Sequence, residues 1–312
     1  MRSKLKTPTI AVLMCTFQGE KYLAEQLDSI VMQAEVDPII WASDDGSSDQ
    51  TKAILRRYQK KLGEDRLHIL QGPCQGFVKN FMSMVCNPDI QADYYAFADQ
   101  DDIWIKDKSA RALSFLTQLP KNTPGLYCSR TLYVDEQNQV IGPSQAYQHP
   151  PSFENALVQN IASGNTMAFN QAARDLLVAI GKTQPIVYHD WMLYLVITAC
   201  GGLVQFDQEP TVRYRQHSNN LIGMNTSFKS YLARIKILWG GRFATWNNIH
   251  TNTLGNMKVL LTPKNQEILA GYIQARQKNR FACIYSLFTL KILRQTRIGQ
   301  LGLCCIILMN KF

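Results

Sequence analysis

The first 225 residues alternate between short apolar, strand-like runs and amphipathic, helix-like segments, which restricts the chain to few folds. The apolar runs have the length of buried strands; they are "TIAVLMC" (9–15), "PIIWASDD" (38–45), "RLHILQ" (66–71) and "DYYAFAD" (93–99). The segments between them, 19–33, 47–62 and 76–85, carry apolar residues at helical spacing. Strands alternating with helices predict an α/β fold with a mostly parallel central sheet and helices on both faces. Such sheets bind ligands just beyond the carboxyl ends of their strands.

The composition is typical of a globular protein in a reducing compartment. Apolar residues make up 46% and charged residues 18% of the 312 residues, so disorder is not indicated. The eight cysteines show no zinc-binding spacing, and several lie in apolar runs, which favours buried free thiols and a cytoplasmic protein. The apolar stretch near the N-terminus is about six residues long, which predicts a strand rather than a signal peptide.

Two of the predicted strands end in clusters of acidic residues, "DDGSSD" (44–49) and "DQDD" (99–102). In the first cluster, Ser47 and Gln50 also fit a capping box for the helix that follows. The second also fits the N-cap of a helix starting near Lys106. Carboxylates this close repel one another unless a cation lies among them. Because Mg²⁺ and Mn²⁺ often bind through one or two carboxylates plus substrate phosphates, the second cluster predicts a divalent metal that carries a diphosphate.

The chain resembles the family 2 glycosyltransferases of the GT-A fold, and more narrowly their bacterial rhamnosyltransferase-like branch. The resemblance rests on segments that occur in the same order and spacing: "CTFQGEKYLAEQLDSI", "SDDGSSDQT", "FADQDDIW", and "HDWMLYLVITACGG" followed by "VRYRQHSNN". It covers about residues 8–225. It implies an α/β/α sandwich that binds a nucleotide-sugar, with UDP or dTDP as the nucleotide, in the crevice over the strand ends.

The resemblance implies a donor site at the ends of the first strands. Thr16 and Phe17 match a family motif whose aromatic ring stacks on the donor base, although Gln18 replaces the usual Asn. Asp45 matches the residue that reads the base edge. Lys79 lies where family members place a basic residue near the diphosphate, and it fits an ordinary surface lysine equally well.

The Asp-x-Asp motif of the family implies a metal site. Asp101 corresponds to the direct ligand of Mn²⁺ or Mg²⁺, and Asp99 to a residue that faces the ribose or a metal-bound water. The segment "RYRQHSNN" matches one that folds over the donor. Its Arg213, Arg215 or His217 would contact the diphosphate or the metal, although a lone histidine is more often structural.

The resemblance also implies a general base and an acceptor site. Transfer with inversion needs a base within hydrogen-bond reach of the acceptor hydroxyl, and Asp190 matches the family's base position at a helix start, where it also fits an N-cap. The loop "SGNTMAFN" resembles the acceptor loop, with Gly164 and Asn165 at its tight point. His189 and Trp191, on either side of Asp190, are expected to line the acceptor site, and His189 would also tune or position the base.

The charge pattern divides the chain into a predicted catalytic domain, 1–225, and a basic helical extension, 226–312. The extension has 13 lysines and arginines and one acidic residue, Glu267, whereas the first part has 20 basic and 23 acidic residues. Its basic residues alternate with large aliphatic and aromatic ones, which favours amphipathic helices on an anionic membrane surface over nucleic-acid binding. Ordinary packing against the catalytic domain is the alternative. Its longest apolar run, 301–309, is too short to span a bilayer.

Together these patterns predict an inverting, metal-dependent glycosyltransferase, peripheral on the inner face of the cell membrane. It would move a sugar, with rhamnose as one candidate, onto a lipid-linked glycan in O-antigen or capsule synthesis. One alternative is a nucleotidyltransferase of related fold, which "CTFQGEKY", with its single glycine, disfavours. The other is a non-catalytic membrane-associated scaffold, which the intact acids at 45, 99, 101 and 190 disfavour.

Overall fold

The computed structural model describes residues 7–217 and 241–312. Nine strands in these ranges form one sheet. The strands are β1 Thr9–Thr16, β2 Asp37–Asp44, β3 Leu67–Gln71, β4 Tyr94–Ala98, β5 Ile103–Trp104, β6 Gly125–Val134, β7 Val140–Pro143, β8 Ala168–Asn170 and β9 Leu203–Arg215.

The described residues also form eleven α-helices, which cover the two faces of the sheet. They are α1 Leu23–Val31, α2 Thr51–Leu62, α3 Phe77–Val85, α4 Lys108–Leu116, α5 Phe153–Ala156, α6 Gln171–Ile180, α7 His189–Ala199, α8 Arg242–Asn256, α9 Pro263–Gln277, α10 Arg280–Thr289 and α11 Arg297–Leu308. The strands and helices predicted up to residue 99 are confirmed, with shifts of a few residues at their ends.

The first four strands pair in parallel, in the order β3–β2–β1–β4. At the carboxyl ends, Thr16 of β1 pairs with Asp44 of β2, and Met14 of β1 pairs with Ala98 of β4. The residues of β1 from 10 to 14 are fully buried, as a strand covered by helices on both faces must be. The two acidic clusters therefore leave the sheet at the same edge.

The second half of the sheet is mixed, which the sequence did not predict. β8 is antiparallel to both β4 and β6, β6 is parallel to β9, and β5 is antiparallel to β9. In the last pair, Ile103 lies opposite Arg213. The end of β9 therefore runs beside the acidic cluster 99–102, although more than a hundred residues separate them in the sequence.

Two hydrophobic clusters lie on opposite faces of the sheet. Leu27 of α1 and Leu55 of α2 belong to one, and Phe81 of α3, Leu177 of α6 and Leu193 of α7 belong to the other. The predicted α/β/α sandwich is thereby confirmed. All eight cysteines are unpaired.

The four C-terminal helices are packed into the cluster that contains α7. Leu254 of α8, Tyr272 of α9, Leu287 of α10 and Ile306 of α11 are at most 1% exposed and belong to that cluster. The basic region therefore shares its core with the α/β part. The predicted boundary at residue 225 and residues 226–240 of the predicted basic extension lie outside the described residues. None of the helices in the described part of the chain is long and apolar enough to cross a membrane.

Candidate active site

The turn after β2 is organised by a buried carboxylate, that of Asp44. Its Oδ1 accepts hydrogen bonds from Thr16 Oγ1 at 3.1 Å and Ser47 Oγ at 2.6 Å, its Oδ2 accepts from the Ser47 amide, and Lys52 Nζ lies 3.4 Å away. The predicted capping box is wrong: α2 begins at Thr51, and Ser47 bonds to Asp44 instead. Asp49 fixes the helix start by accepting from the Thr51 amide and hydroxyl.

The neighbouring Asp45 points to the loop after β3. Its Oδ1 accepts from the Cys74 amide at 2.6 Å, and its Oδ2 accepts from the Gly76 amide at 2.8 Å. A Cβ at Gly72 would lie 2.8 Å from Asp45 Oδ1, so only glycine lets the loop approach this closely. The loop therefore fixes the half-buried carboxylate that is predicted to read the donor base, and each oxygen keeps a further lone pair.

Phe17 presents an exposed aromatic ring just beyond the end of β1. The ring is 54% exposed, while the Phe17 amide and carbonyl bond to the side-chain amide of Gln100, both at 2.8 Å. The sequence did not single out Gln100, although it lies within the acidic motif. Gln18, at the position of the family's Asn, bonds to the turn after β2 through Ser48 Oγ. The substitution is thus accommodated, and the ring is left available for stacking.

Asp99 and Asp101 lie at the same edge, in the loop that follows β4. Burial and the nearby Asp101 and Asp190 carboxylates raise the pKa of Asp99 to about 7. On the other side of the loop, His217 Nε2 lies 2.8 Å from Asp101 Oδ2, and the His217 ring stacks on Tyr22 at 5.3 Å. The structure thus brings Asp99 and Asp101 together with His217, one of the three residues predicted to contact the diphosphate or the metal.

These donor groups fit a hard divalent cation. Carboxylates suit Mg²⁺ and Mn²⁺, and a cation would relieve the repulsion that raises the pKa of Asp99. In the described ranges, no three acidic, histidine or cysteine side chains converge into a complete metal site. A site that uses one or two carboxylates leaves coordination positions for phosphate oxygens and water.

The other residues predicted to contact the diphosphate bond to groups of the protein; they are Arg215, Arg213 and Lys79. Arg215 is buried, and its guanidinium donates to the carbonyl oxygens of Asp101 at 3.1 Å and Glu136 at 3.0 Å and pairs with Glu25. Arg215 thus anchors the acidic loop through its backbone. Arg213 Nη1 donates to Asn138. Lys79 Nζ donates to two carbonyl oxygens, those of residues 182 and 184, and makes no contact with the acidic residues in the structure.

The sequence missed the function of Asp102, the third acid of the cluster. Its side chain is fully buried and accepts hydrogen bonds from Asn165 Nδ2 at 2.6 Å and the Arg215 amide at 3.2 Å. Burial and the nearby Asp101 and Asp99 raise its pKa well above the ordinary value. Asp102 therefore ties the acidic loop to β9 and to the 3₁₀ turn at 164–166. The only feature of the sequence that could have indicated this function is the position of Asp102 in an acidic run directly after a buried strand.

Asp190 lies in the first turn of α7. Its Oδ2 accepts from Asn160 Nδ2 at 3.0 Å and the Gly164 amide at 3.2 Å, and its Oδ1 accepts from the Trp191 amide at 2.7 Å. The N-cap is Tyr188, so the alternative of Asp190 as N-cap is wrong. Burial raises the pKa of Asp190 to about 6, although its hydrogen bonds lower it in part. A carboxylate with a pKa near the working pH is suited to general-base catalysis.

The loop predicted to line the acceptor joins this carboxylate to the acidic loop. Gly164 is the tight point, because a Cβ there would lie 3.0 Å from His189 Nε2 and 3.4 Å from Asp190 Cβ. Asn165, the next residue, donates to Asp102. Both residues are buried. Asn160, which no sequence pattern indicated, contributes the side-chain donor to Asp190.

His189 and Trp191 lie in the core behind Asp190. The His189 ring stacks on Phe81 at 4.0 Å and meets the edge of Phe97, and burial lowers its pKa to about 3, so the ring is neutral. Trp191 donates from Nε1 to the Ala156 carbonyl oxygen at 2.8 Å. Each is 5% exposed. In this arrangement both side chains support the loop and helix that carry the base, and neither presents a surface to an acceptor.

Comparison with known proteins agrees with this arrangement. The family "Glycosyl transferase family 2" matches residues 11–177. The dTDP-rhamnosyl transferase RfbG of Shigella flexneri is 32% identical over 238 residues, which cover 72% of this chain and 78% of that protein. These matches favour a glycosyltransferase over the nucleotidyltransferase and the scaffold.

Solved structures show the same fold at low sequence identity. TarS 1-349 of S. aureus, in complex with UDP-GlcNAc, superposes with a TM-score of 0.55 and 16% identity and covers 97% of this chain and 89% of its own. The mannosyltransferase PcManGT of Pyrobaculum calidifontis, in complex with GDP-Man and Mn²⁺, superposes with a TM-score of 0.52 and 15% identity and covers 97% and 86%. The chain belongs to glycosyl transferase family 2 and is a glycosyltransferase of the GT-A fold.

Proposed function

We propose that the protein transfers a sugar, with inversion at the anomeric carbon, from a nucleoside-diphosphate donor to a glycan hydroxyl. One observation carries the proposal: the turn 164–166 contacts both groups, since the Gly164 amide donates to Asp190 at 3.2 Å and Asn165 donates to Asp102 of the acidic loop at 2.6 Å. A candidate base and a candidate diphosphate site thus share one edge of the sheet. The S. flexneri relative, a dTDP-rhamnosyl transferase, makes dTDP-rhamnose the first donor to test.

In the proposed reaction, Asp190 accepts the proton of the acceptor hydroxyl. The hydroxyl oxygen forms a bond to the anomeric carbon, and the bond from that carbon to the diphosphate oxygen breaks on the opposite face. The hydrogen bonds from Asn160 and from the Gly164 amide hold the carboxylate in position. Because its pKa is about 6, the carboxylate is ionised before the step and releases the proton to water afterwards.

The acidic loop is proposed to hold the diphosphate end of the donor. Asp101 and Asp99 would bind Mn²⁺ or Mg²⁺, with His217 beside Asp101. A divalent cation, when bound there, neutralises the negative charge of the leaving diphosphate. The Arg215 amide donates to Asp102, and the Arg215 guanidinium donates to the Asp101 carbonyl oxygen. These contacts hold the loop, so that the Asp99 and Asp101 carboxylates are positioned before the donor binds.

The nucleotide base is proposed to lie between the ends of β1 and β2. The exposed Phe17 ring offers a face for stacking, and Asp45, held by the loop after β3, offers acceptor oxygens for an N–H of the base. Thr16 supports this corner through its bond to Asp44. Lys79 retains its predicted place near the diphosphate only if its side chain leaves the two carbonyl oxygens that it now contacts.

The acceptor is proposed to be a lipid-linked glycan, used in O-antigen or capsule synthesis at the inner face of the cell membrane. The basic composition after residue 226 supports this, since lipid-linked substrates lie at an anionic surface. Gly164 and Asn165 shape the acceptor side through their contacts with Asp190 and Asp102.

A donor panel tests the proposal. The purified protein is incubated with dTDP-rhamnose and UDP-sugars, a lipid-linked acceptor extract and Mn²⁺ or Mg²⁺, and the released nucleoside diphosphate is measured. We expect acceptor-dependent release that a chelator abolishes and that Asp101→Ala reduces to background. Asp107→Ala, an exposed aspartate nearby, is the matched control and should retain turnover. Metal-independent turnover, or an Asp101→Ala variant that keeps its metal response, would contradict the metal assignment.

A further inference from the structure

Helix α10 exposes large apolar side chains along one face. Phe281 is 78% exposed, Tyr285 74% and Phe288 49%, and their spacing of four and three residues places them in one stripe. The opposite side of the helix is buried, with Cys283 and Leu287 in the main hydrophobic cluster. The helix is therefore anchored by its inner side, and its aromatic stripe has no covering residues in the described ranges.

Helix α11 has the same organisation. Ile298 is 79% exposed, Leu301 66% and Leu308 39%, again at helical spacing, while Leu303 and Ile306 are buried in the same cluster. Because α10 and α11 are in contact with each other and bury their inner sides in one cluster, their exposed stripes both point away from that core. We call this surface the α10–α11 face; it consists of Phe281, Tyr285, Phe288, Ile298, Leu301 and Leu308.

The segment that carries the α10–α11 face has a positive net charge. Residues 268–312 contain seven lysines and arginines and no acidic residue. Lys291 and Arg297, in and beside the connection between the two helices, are exposed. A second copy of this chain would bring seven further positive charges against these seven, whereas anionic lipid phosphates complement them.

We propose that the α10–α11 face docks on an anionic bilayer, with its aromatic and aliphatic side chains among the lipid headgroups and its basic residues on the lipid phosphates. Phe and Leu at the apolar side of a helix with Lys and Arg around it are typical of helices that lie in the membrane interface. This proposal rests on the proposed lipid-linked acceptor and deepens it, because it assigns the surface by which the enzyme reaches that acceptor.

Vesicle co-sedimentation of the full chain tests the proposal. Wild type is mixed with vesicles of phosphatidylcholine alone or of phosphatidylcholine with phosphatidylglycerol. We expect binding to the anionic vesicles and at least about tenfold weaker binding to the neutral ones, since each basic residue near such a surface contributes about fivefold. No binding to either vesicle, or equal binding to both, would overturn the proposal.

Substitutions on the surface locate the binding. A variant with Phe281→Ser, Tyr285→Ser, Ile298→Ser and Leu301→Ser should lose binding to anionic vesicles by at least about tenfold. The matched control changes two exposed apolar residues outside the face, Val259→Ser and Leu203→Ser, and should bind like wild type.

Two outcomes of these measurements would overturn the assignment. One is equal vesicle binding by the four-residue variant and wild type. The other is a wild-type dimer in solution that the four-residue variant loses, since it would make the occupant a second copy of this chain. Release of the nucleoside diphosphate with a short soluble acceptor should be equal in all variants. Its absence in wild type as well would count against the proposed function and leave the vesicle result independent.

Discussion

We call the edge of the sheet at the carboxyl ends of β1, β2 and β4 the strand-end edge. This edge and the α10–α11 face depart from ordinary burial in opposite directions. At the strand-end edge, charged side chains such as Asp102 and Arg215 are buried and held by hydrogen bonds. On the α10–α11 face, large side chains such as Phe281 and Ile298 are exposed. Charged residues are almost never fully buried unless paired, and contiguous exposed apolar surface marks interaction sites. Each departure supports one of the two proposals: the first would position reacting groups, and the second would position the whole enzyme on a membrane.

The two regions are nevertheless parts of one folded unit. Trp191, which follows the candidate base, packs its ring against His250 of α8 at 4.6 Å, and α8 to α11 complete the same hydrophobic cluster. The C-terminal helices thus support α7 from behind while α10 and α11 expose their outer side. We therefore expect surface substitutions, but not truncation of the chain, to separate membrane binding from turnover.

Truncation at residue 225 should have the largest effect. It removes Leu254, Tyr272, Leu287 and Ile306 from the shared core, and each large buried side chain contributes about 2–5 kcal/mol, against about 5–15 kcal/mol for the stability of a whole domain. We expect residues 1–225 to be insoluble or unfolded by circular dichroism and thermal melting. A soluble fragment with a cooperative melt and donor turnover would show instead that the basic region is a separable appendage.

Asp190→Asn tests the chemistry of the strand-end edge. The substitution keeps the size and one acceptor oxygen, which can still accept from Asn160 and the Gly164 amide, but it removes proton acceptance. Turnover should therefore fall about 10²–10⁴-fold while donor affinity is retained. Steady-state kinetics and calorimetric titration with the nucleoside diphosphate measure the two effects. Asp175→Asn, an aspartate of α6, is the matched control. Wild-type turnover in Asp190→Asn would remove this residue from the mechanism.

The pH profile should report the raised pKa of Asp190. Only the ionised carboxylate accepts a proton, so with a pKa of about 6 the value of kcat/KM should fall about tenfold per unit as the pH drops below that value. The assay is run at saturating metal, and vesicle binding is followed over the same range. A profile that stays flat from about pH 7 to about pH 5 would contradict the assignment. Vesicle binding should not follow the same titration.

Asn165→Ala should loosen the acidic loop. It leaves the buried Asp102 Oδ2 without its side-chain donor, which costs about 1–3 kcal/mol of stability and is expected to weaken metal activation about tenfold. The metal concentration for half-maximal turnover measures the second effect. Asn265→Ala is the matched control, because it removes two buried hydrogen bonds to the end of α7, away from the acidic loop. It should lose comparable stability with unchanged metal activation; an equal change in both variants would mean a general structural effect.

An effect on stability alone concerns Lys108, a buried lysine near the acidic loop that donates to the Thr166 carbonyl oxygen. Burial lowers its pKa from 10.5 to about 7. Between these values the unfolded chain binds a proton that the folded protein has released, so stability rises with pH by up to about 1.4 kcal/mol per unit. Lys108→Met should remove this rise in urea unfolding at about pH 7 and about pH 9. If the free energy of unfolding depends on pH in the same way in wild type and Lys108→Met, Lys108 does not have the lowered pKa.

Much of the catalytic half could be predicted because its signals are local. Apolar runs and helical spacing are read over ten to twenty residues, and parallel strands then bring their ends to one edge. The positions of Asp45, Asp99 and Asp101 at that edge followed directly. The start of α2 was predicted wrongly because Ser47 could bond either to its helix or to Asp44, and only the packed turn decides between them.

The sequence by itself determined the order of strands and helices up to residue 99, the acidic strand ends and the excess of basic residues near the C-terminus, since each depends on neighbours along the chain. The tertiary structure alone decided that β9 pairs with β5, which brings Arg215 and His217 to the acidic loop, and that Asn160 holds Asp190. It also decided which sides of α10 and α11 are buried. These features depend on contacts between segments far apart in the chain, and such contacts form only when the burial of many side chains offsets the entropy of closing the loops between them.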